Sequence, residues 1–172
     1  MIPQIKKILY ATDLTKNSAY AFFYAVDMAR KYDARIVILH VIPPINPRLY
    51  SEGGFGIEEI VKENQKKERA AEIEEIKKNI RSFCGKTETQ MSCPCVELVS
   101  EIFVTIGYAV EEILKTADDE GCDAIVLGTH GKGFLAQTFL GSVAGEVLER
   151  TRKPVFIIPL PSDKTSIEWD RI

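Results

Sequence analysis

Four short apolar runs constrain this fold more than any other feature of the chain. Lys6–Ala11 carries Ile8, Leu9 and Tyr10 in a row, and Ala34–Ile42 reads ARIVILHVI. Cys122–Gly128 contains AIVLG, and Pro154–Leu160 reads PVFIIPL. A strand with one wet face alternates apolar and polar residues. An unbroken apolar run of this length suits a strand buried on both faces, and such strands belong to parallel sheets covered by helices. Val96–Ile106, rich in Val, Ile and Thr, reads as a fifth strand.

The segments between these runs have helical periodicity. Phe22, Ala25, Val26 and Ala29 fall on one stripe, with Ser18 as the expected N-cap. Ile106, Ala109, Ile113, Leu114 and Ala117 form a second stripe, with Gly121 just past its end. Leu140, Val143, Ala144, Val147 and Leu148 form a third, stopped by Pro154. Ile73, Ile76, Ile80 and Phe83 mark a fourth helix, charge-dense from Glu58 to Lys78. Asp118, Asp119 and Glu120 crowd a helix C-terminus, where the macrodipole disfavours anions. The order β-α-β-α-β-α-β-α-β implies a doubly wound α/β domain. Right-handed crossovers put helices on both faces. The expected architecture is a Rossmann-like open five-stranded parallel sheet of order 3-2-1-4-5.

At 172 residues the chain is one domain, taken as 1–160 with a polar tail over 161–172 that keeps Ile167 and Trp169. Residues 43–56 (PPINPRLYSEGGFG) form a long loop, a length that usually carries function or disorder. The net charge of −3 argues against a nucleic-acid binder held by bulk electrostatics. No apolar stretch reaches a membrane-spanning length of about 18 residues. The first residues lack the long apolar region of a signal peptide, so a cytoplasmic protein is expected. Cys84, Cys93, Cys95 and Cys122 are then expected as free thiols. Cys93-Pro-Cys95 has the wrong spacing for a zinc knuckle.

In an open α/β sheet, ligands sit beyond the carboxyl ends of the strands, where the strand order reverses. Ala11-Thr12-Asp13, Val41-Ile42-Pro43 and a glycine-rich stretch should meet there. That stretch runs Gly128-Thr129-His130-Gly131-Lys132-Gly133, then Gly141-Ser142 at the head of the last helix: G-x2-G-x9-G-S. Glycines let amides approach a phosphate and accept positive φ. Gly141, Ser142 and Val143 would offer amides at a helix N-terminus, where anions are favoured. The pattern is neither Walker A nor G-x-G-x-x-G.

These segments together resemble the universal stress protein family, in its ATP-binding subclass. KKILYATDLTKNS is similar to the family's first strand and Asp-bearing loop, and ARIVILHVI to its second strand. GCDAIVLGTHGKG…LGSVAGEVLERTRKPVFIIP is similar to its C-terminal signature. The likeness runs over about residues 3–160 and is weakest in 43–60 and 84–108. It implies ATP, or AMP or ADP, as ligand, with Mg²⁺ held through the phosphates and Asp13 a possible further ligand. It implies that Val41 offers backbone hydrogen bonds to adenine, Ala11 lines the base, and Asp13 lies near ribose or phosphates. Gly128, Thr129, His130, Gly131 and Lys132 would wrap ribose and phosphates, and Gly141, Ser142 and Val143 would bind phosphates. It also implies a homodimer through the final strand, 154–160. VSEIFVTIGYAVEEIL departs from the family pattern, with extra apolar residues before Gly107.

Several single residues have plainer readings. Asp13 fits an Asx turn after the first strand as well as a ligand role. His130 can be a loop histidine placed by its backbone, and Lys132 a solvated lysine. His40 lies inside a strand and reads as structural. Tyr20, Phe23 and Tyr24 read as partly buried packing. The phosphate loop carries no arginine to stabilise a phosphoryl-transfer transition state, so no catalytic residue is assigned and hydrolysis should be slow at most. Nucleotidyl transferases of similar fold carry HxGH-type or SGGxDS-type motifs after the first strand, where this chain reads ATDLTKNS. The leading expectation is a nucleotide-dependent regulatory protein. A slow ATPase and a nucleotide-free interaction module are the alternatives, and the protein partner is open.

Overall fold

The computed structural model describes residues 2–44, 57–129, 140–159 and 171–172, with backbone alone for 57–61. Five strands, β1 (Lys7–Thr12), β2 (Arg35–Ile42), β3 (Val99–Ile106), β4 (Ala124–Gly128) and β5 (Val155–Ile158), pair in parallel in the order β3-β2-β1-β4-β5. The helices are α1 (Lys16–Tyr32), α2 (Ile57–Met91), α3 (Cys95–Leu98), α4 (Ala109–Asp119) and α5 (Ser142–Arg150). Every residue of β1 from Ile8 to Thr12 is buried, as expected for a strand covered on both faces. Ile8, Tyr10, Ile36 and Ile38 point into one core with Phe22, Val26, Ile80 and Phe83. Leu9, Val37, Leu39 and Ile125 point into the other with Ile113, Ala117, Ala144 and Val147. Thus α1 and α2 cover one face, and α4 and α5 the other.

Five details depart from the expectations. α1 begins at Lys16 and is capped by Thr15, whose Oγ1 accepts the Ser18 amide at 3.4 Å. Ser18 is therefore a buried first-turn residue rather than the cap. Thr15 is fixed at the cap by Asp13, whose Oδ1 accepts its amide and its hydroxyl. Ile106 ends β3, so the α4 stripe starts at Ala109. The fifth strand begins at Val99, because Cys95–Leu98 forms the extra turn of α3. The last strand is shorter than 154–160, since Pro154 and Pro159, lacking amides, bracket it. On α5 only Ala144 and Val147 are buried, while Leu140, Val143 and Leu148 are exposed.

The crowded acids at the end of α4 have a physical account. Glu120 pairs with Lys7 of β1 at 2.9 Å, and Asp118 with Lys153 before β5 at 3.2 Å. Gly121 takes φ +61. The Cys122 amide reaches the Ala117 carbonyl (2.9 Å) and the Gly121 amide reaches Asp118 (3.0 Å), which closes a Schellman motif. Asp123 then accepts the amides of Lys6 and Lys7 at 2.8 and 2.9 Å, fixing β1 beside β4.

Candidate nucleotide site

β1 runs alongside β2 as far as Thr12↔His40, but its pairing with β4 stops at Tyr10↔Val126. β4 meanwhile continues to Gly128 against Ile158 of β5. The two central strands therefore part at their carboxyl ends, where the strand order reverses. A cavity of about 830 Å³ opens there, within the roughly 300–1,000 Å³ of small-molecule sites.

Ala11, Asp13, Val41, Gly128, Thr129, Gly141, Ser142 and Val143 all line this cavity. His130, Gly131 and Lys132 lie outside the described residues.

On one wall, the loop after β1 is tied by local hydrogen bonds. Asp13 Oδ1 accepts from the Thr15 amide at 3.0 Å and the Thr15 hydroxyl at 2.5 Å. The Asx turn is therefore real. It uses only one carboxylate oxygen: Oδ2 is buried and has no partner among the described residues. A buried carboxylate oxygen without a partner is costly, so this atom could accept a donor or a cation. Thr12 Oγ1 accepts the Leu14 amide at 3.0 Å and shares a hydrogen bond with Ser18 Oγ at 2.8 Å. His40 Nδ1 lies 2.8 Å from the Thr12 carbonyl; a carbonyl only accepts, so that nitrogen carries the proton. The imidazole thereby holds the loop from below, in keeping with a structural histidine.

On the opposite wall, α5 starts at Gly141 with no side-chain cap and no acid in its first turn. Its N-terminus lines the cavity, and among the described residues no side chain caps its leading amides. The Gly141 amide itself is fixed on the Thr129 carbonyl at 2.7 Å. Gly141 has φ −64 and ψ 152, ordinary extended backbone, so the expected need for positive φ does not apply here. At the end of β4, a Cβ on Gly128 would sit 3.6–3.7 Å from Asn17 and Ser18 of α1. That leaves ordinary contact for a methyl and little room for a larger group.

Sequence reasoning missed the wall contributed by α2. Glu72 and Ile76 line the cavity. Ile76 was legible as part of a core stripe. Glu72, one turn earlier on the same face, was the available signal, hidden among many charged neighbours. Among the described residues, no group of three or more His, Cys, Asp or Glu side chains is arranged to hold a metal. All four cysteines are free and buried; Cys84 lies in α2 and Cys95 opens α3, while Cys93 and Cys122 lie between elements. No helix of the described residues is long and apolar enough to cross a membrane.

The model of the universal stress protein family matches residues 4–159. The chain belongs to the universal stress protein family. Universal stress protein MJ0577 of Methanocaldococcus jannaschii is 30% identical over 158 residues, spanning 89% of this chain and 94% of that protein. YxiE of Bacillus subtilis is 30% identical over 159 residues, spanning 88% and 97%. The solved MJ0577 structure superposes with a TM-score of 0.70 at 26% identity, covering 93% of this chain and 99% of that one. UspA of Lactobacillus plantarum shares the fold, with a TM-score of 0.66 at 20% identity over 90% of this chain and 98% of that one. The five-stranded order of this universal stress protein is thus the order expected from its apolar runs.

Proposed function

We propose that the cleft binds an adenine nucleotide, ATP with magnesium, and that the protein is a nucleotide-dependent regulatory switch rather than a fast catalyst. One observation carries this reading. The N-terminus of α5, without a side-chain cap among the described residues, and Asp13, whose Oδ2 has no partner among them, line the same cavity. The first asks for an anion and the second for a cation or a donor. Magnesium triphosphate with a ribose supplies all three.

In this reading the base lies between Ala11 and the Val41 backbone, and Gly128 to Lys132 wrap the ribose and phosphates. The amides at Ser142 and Val143 take the phosphates, while the Gly141 amide stays on the Thr129 carbonyl. Asp13 Oδ2 is a hard carboxylate oxygen of the type magnesium accepts, and it would hold the ion against the phosphates. Bound there, the ion would neutralise phosphate charge. A structure of the same fold, 21% identical, was solved as a universal stress protein in complex with cAMP, which supports the adenine-nucleotide class. β5 stands at the sheet edge, half-buried along its length. Pairing of residues 154–160 with a second copy would cover it.

The test is a thermal melt of protein shown to be nucleotide-free. Mg-ATP at ~100 times its Kd should add about 2.7 kcal/mol, a melting shift on the order of 5–10 °C for a chain of this size. No shift at millimolar ATP removes the reading.

A further inference from the structure

We infer that Cys93 and Cys95 form a reversible dithiol–disulfide site, oxidised by hydroperoxides, at the end of the sheet opposite the nucleotide cleft. Their Sγ atoms are 3.5 Å apart. Pro94 between them has φ −72 and ψ 64, the values of an inverse γ-turn. The Cys95 amide closes that turn on the Cys93 carbonyl at 2.7 Å. The proline ring fixes φ, so the turn holds both thiols on one side before any reaction. Ser92, just before, takes φ +49, a left-handed conformation rare outside glycine. The sulfurs need only close to about 2.05 Å to bond.

The site is distinct from the cleft. α3 leads into Val99, which pairs with Ile36 near the amino end of β2, whereas the cleft lies at the carboxyl ends. Both thiols are buried, and burial pushes Cys95 up to about 12, so Cys95 rests as the thiol. The cover is thin. Ser92, Pro94, Val96 and Glu97 are exposed, and α3 has four residues and no side-chain cap from Pro94. It is held by the Glu88 carboxylate on the Val96 amide at 2.9 Å and by the Arg35 guanidinium on the Glu97 carbonyl. Cys93 and Cys95 belong to the buried cluster under α1 and α2, so reaction waits on local opening of this short, exposed-backed segment.

On opening, one thiolate attacks the hydroperoxide oxygen. The O–O bond breaks, water or an alcohol leaves, and the sulfur becomes a sulfenic acid. The second thiol attacks that sulfur, the S–S bond forms and water leaves. Two electrons pass from the thiols to the peroxide. A cross-link over so short a loop gains little from chain entropy, so excess monothiol should reverse it.

The test uses the full reduced chain exposed to hydrogen peroxide, quenched with N-ethylmaleimide, denatured and digested. Trypsin cuts after Lys86 and Lys115, releasing Cys93 and Cys95 on one peptide and Cys84 and Cys122 on others. The expected product is that peptide lacking two hydrogens and bearing no maleimide. It should form roughly tenfold or more faster than oxidation at Cys84 or Cys122, because the short α3 segment exposes its thiols more often, and the intramolecular second step then holds the product as the disulfide. A monothiol should restore both alkylation sites. Cys95→Ala should leave Cys93 as a sulfenic acid that dimedone traps, with no disulfide; if that variant does not fold, the wild-type peptide ratio decides alone. Cys93 and Cys95 remaining fully alkylatable overturns the inference. So does a bond from either to Cys84, or oxidation of all four cysteines in step.

Discussion

Replacing Gly141 with aspartate should move stability and nucleotide affinity in opposite directions. Gly141 is the N-cap of α5, in the extended conformation that capping residues adopt. An aspartate there can accept the first-turn amides that no side chain of the described residues caps. Over glycine that is worth a few tenths of a kcal/mol, and its charge against the dipole adds about 0.3–1 kcal/mol. The ligand-free protein should therefore melt higher by roughly 1–4 °C. The same carboxylate occupies the phosphate position. It removes a charge-assisted hydrogen bond worth about 1.5–3 kcal/mol. It also adds repulsion of up to about 4 kcal/mol per unit-charge pair near 4 Å at an effective dielectric of 20. A net loss of at least about 3 kcal/mol makes ATP binding weaker by more than about 100-fold. Calorimetric titration with ATP, with adenosine in parallel, measures this. Adenosine lacks phosphates and should bind both proteins alike. ATP affinity unchanged in Gly141→Asp would refute the role of the α5 amides. Equal loss of ATP and adenosine would show that the substitution damaged the pocket instead.

Ser142→Ala removes one hydroxyl and leaves the amides, so its loss of ATP affinity should be the smaller; the reverse ranking against Gly141→Asp would assign the phosphates to the hydroxyl. Ile157→Lys puts a charge in the middle of β5, and sedimentation at micromolar concentration should show the wild type as a dimer and this variant as a monomer. Stability should fall as pH rises above 9. Burial pushes Cys84 up to about 12 and Cys122 up to about 11 from an ordinary 9.0, and raises Tyr10 further still. The folded state then keeps protons that the unfolded chain releases, so the stability present below pH 9 is lost as pH climbs. The slope should approach about 1.4 kcal/mol per pH unit for each such thiol. Urea melts at pH 8, 9 and 10 should show it, and Cys84→Ala should flatten it.

The sheet was legible because ARIVILHVI and AIVLG can be little else, and the carboxyl ends of those runs point to Val41 and Gly128. The helix boundaries were less so. Thr15 and Ser18 are both competent caps, and only the Asp13 hydrogen bonds to Thr15 choose between them. Ile106 satisfies a strand ending and a helical stripe equally, and pairing with Ile42 decides for the strand. Leu140, Val143 and Leu148 look like core by spacing but lie on the surface, because periodicity states which residues share a face and not what covers it. Glu72 reaches the cavity through the crossing of α2 over the sheet, a long-range contact with no local signature.

Leu14 takes φ +65 in the loop that carries Asp13. A left-handed leucine costs roughly 1–2 kcal/mol against the backbone's own preference. Its side chain packs against the buried core on the α1 side of the sheet, and its carbonyl accepts the Ile172 amide at 3.3 Å. The loop is bent like a spring held down by the hydrophobic layer beneath it. Trimming that layer would let the loop relax before the sheet came apart. Conservative changes well away from the cleft should therefore surface first as weakened ligand binding in a chain that still folds.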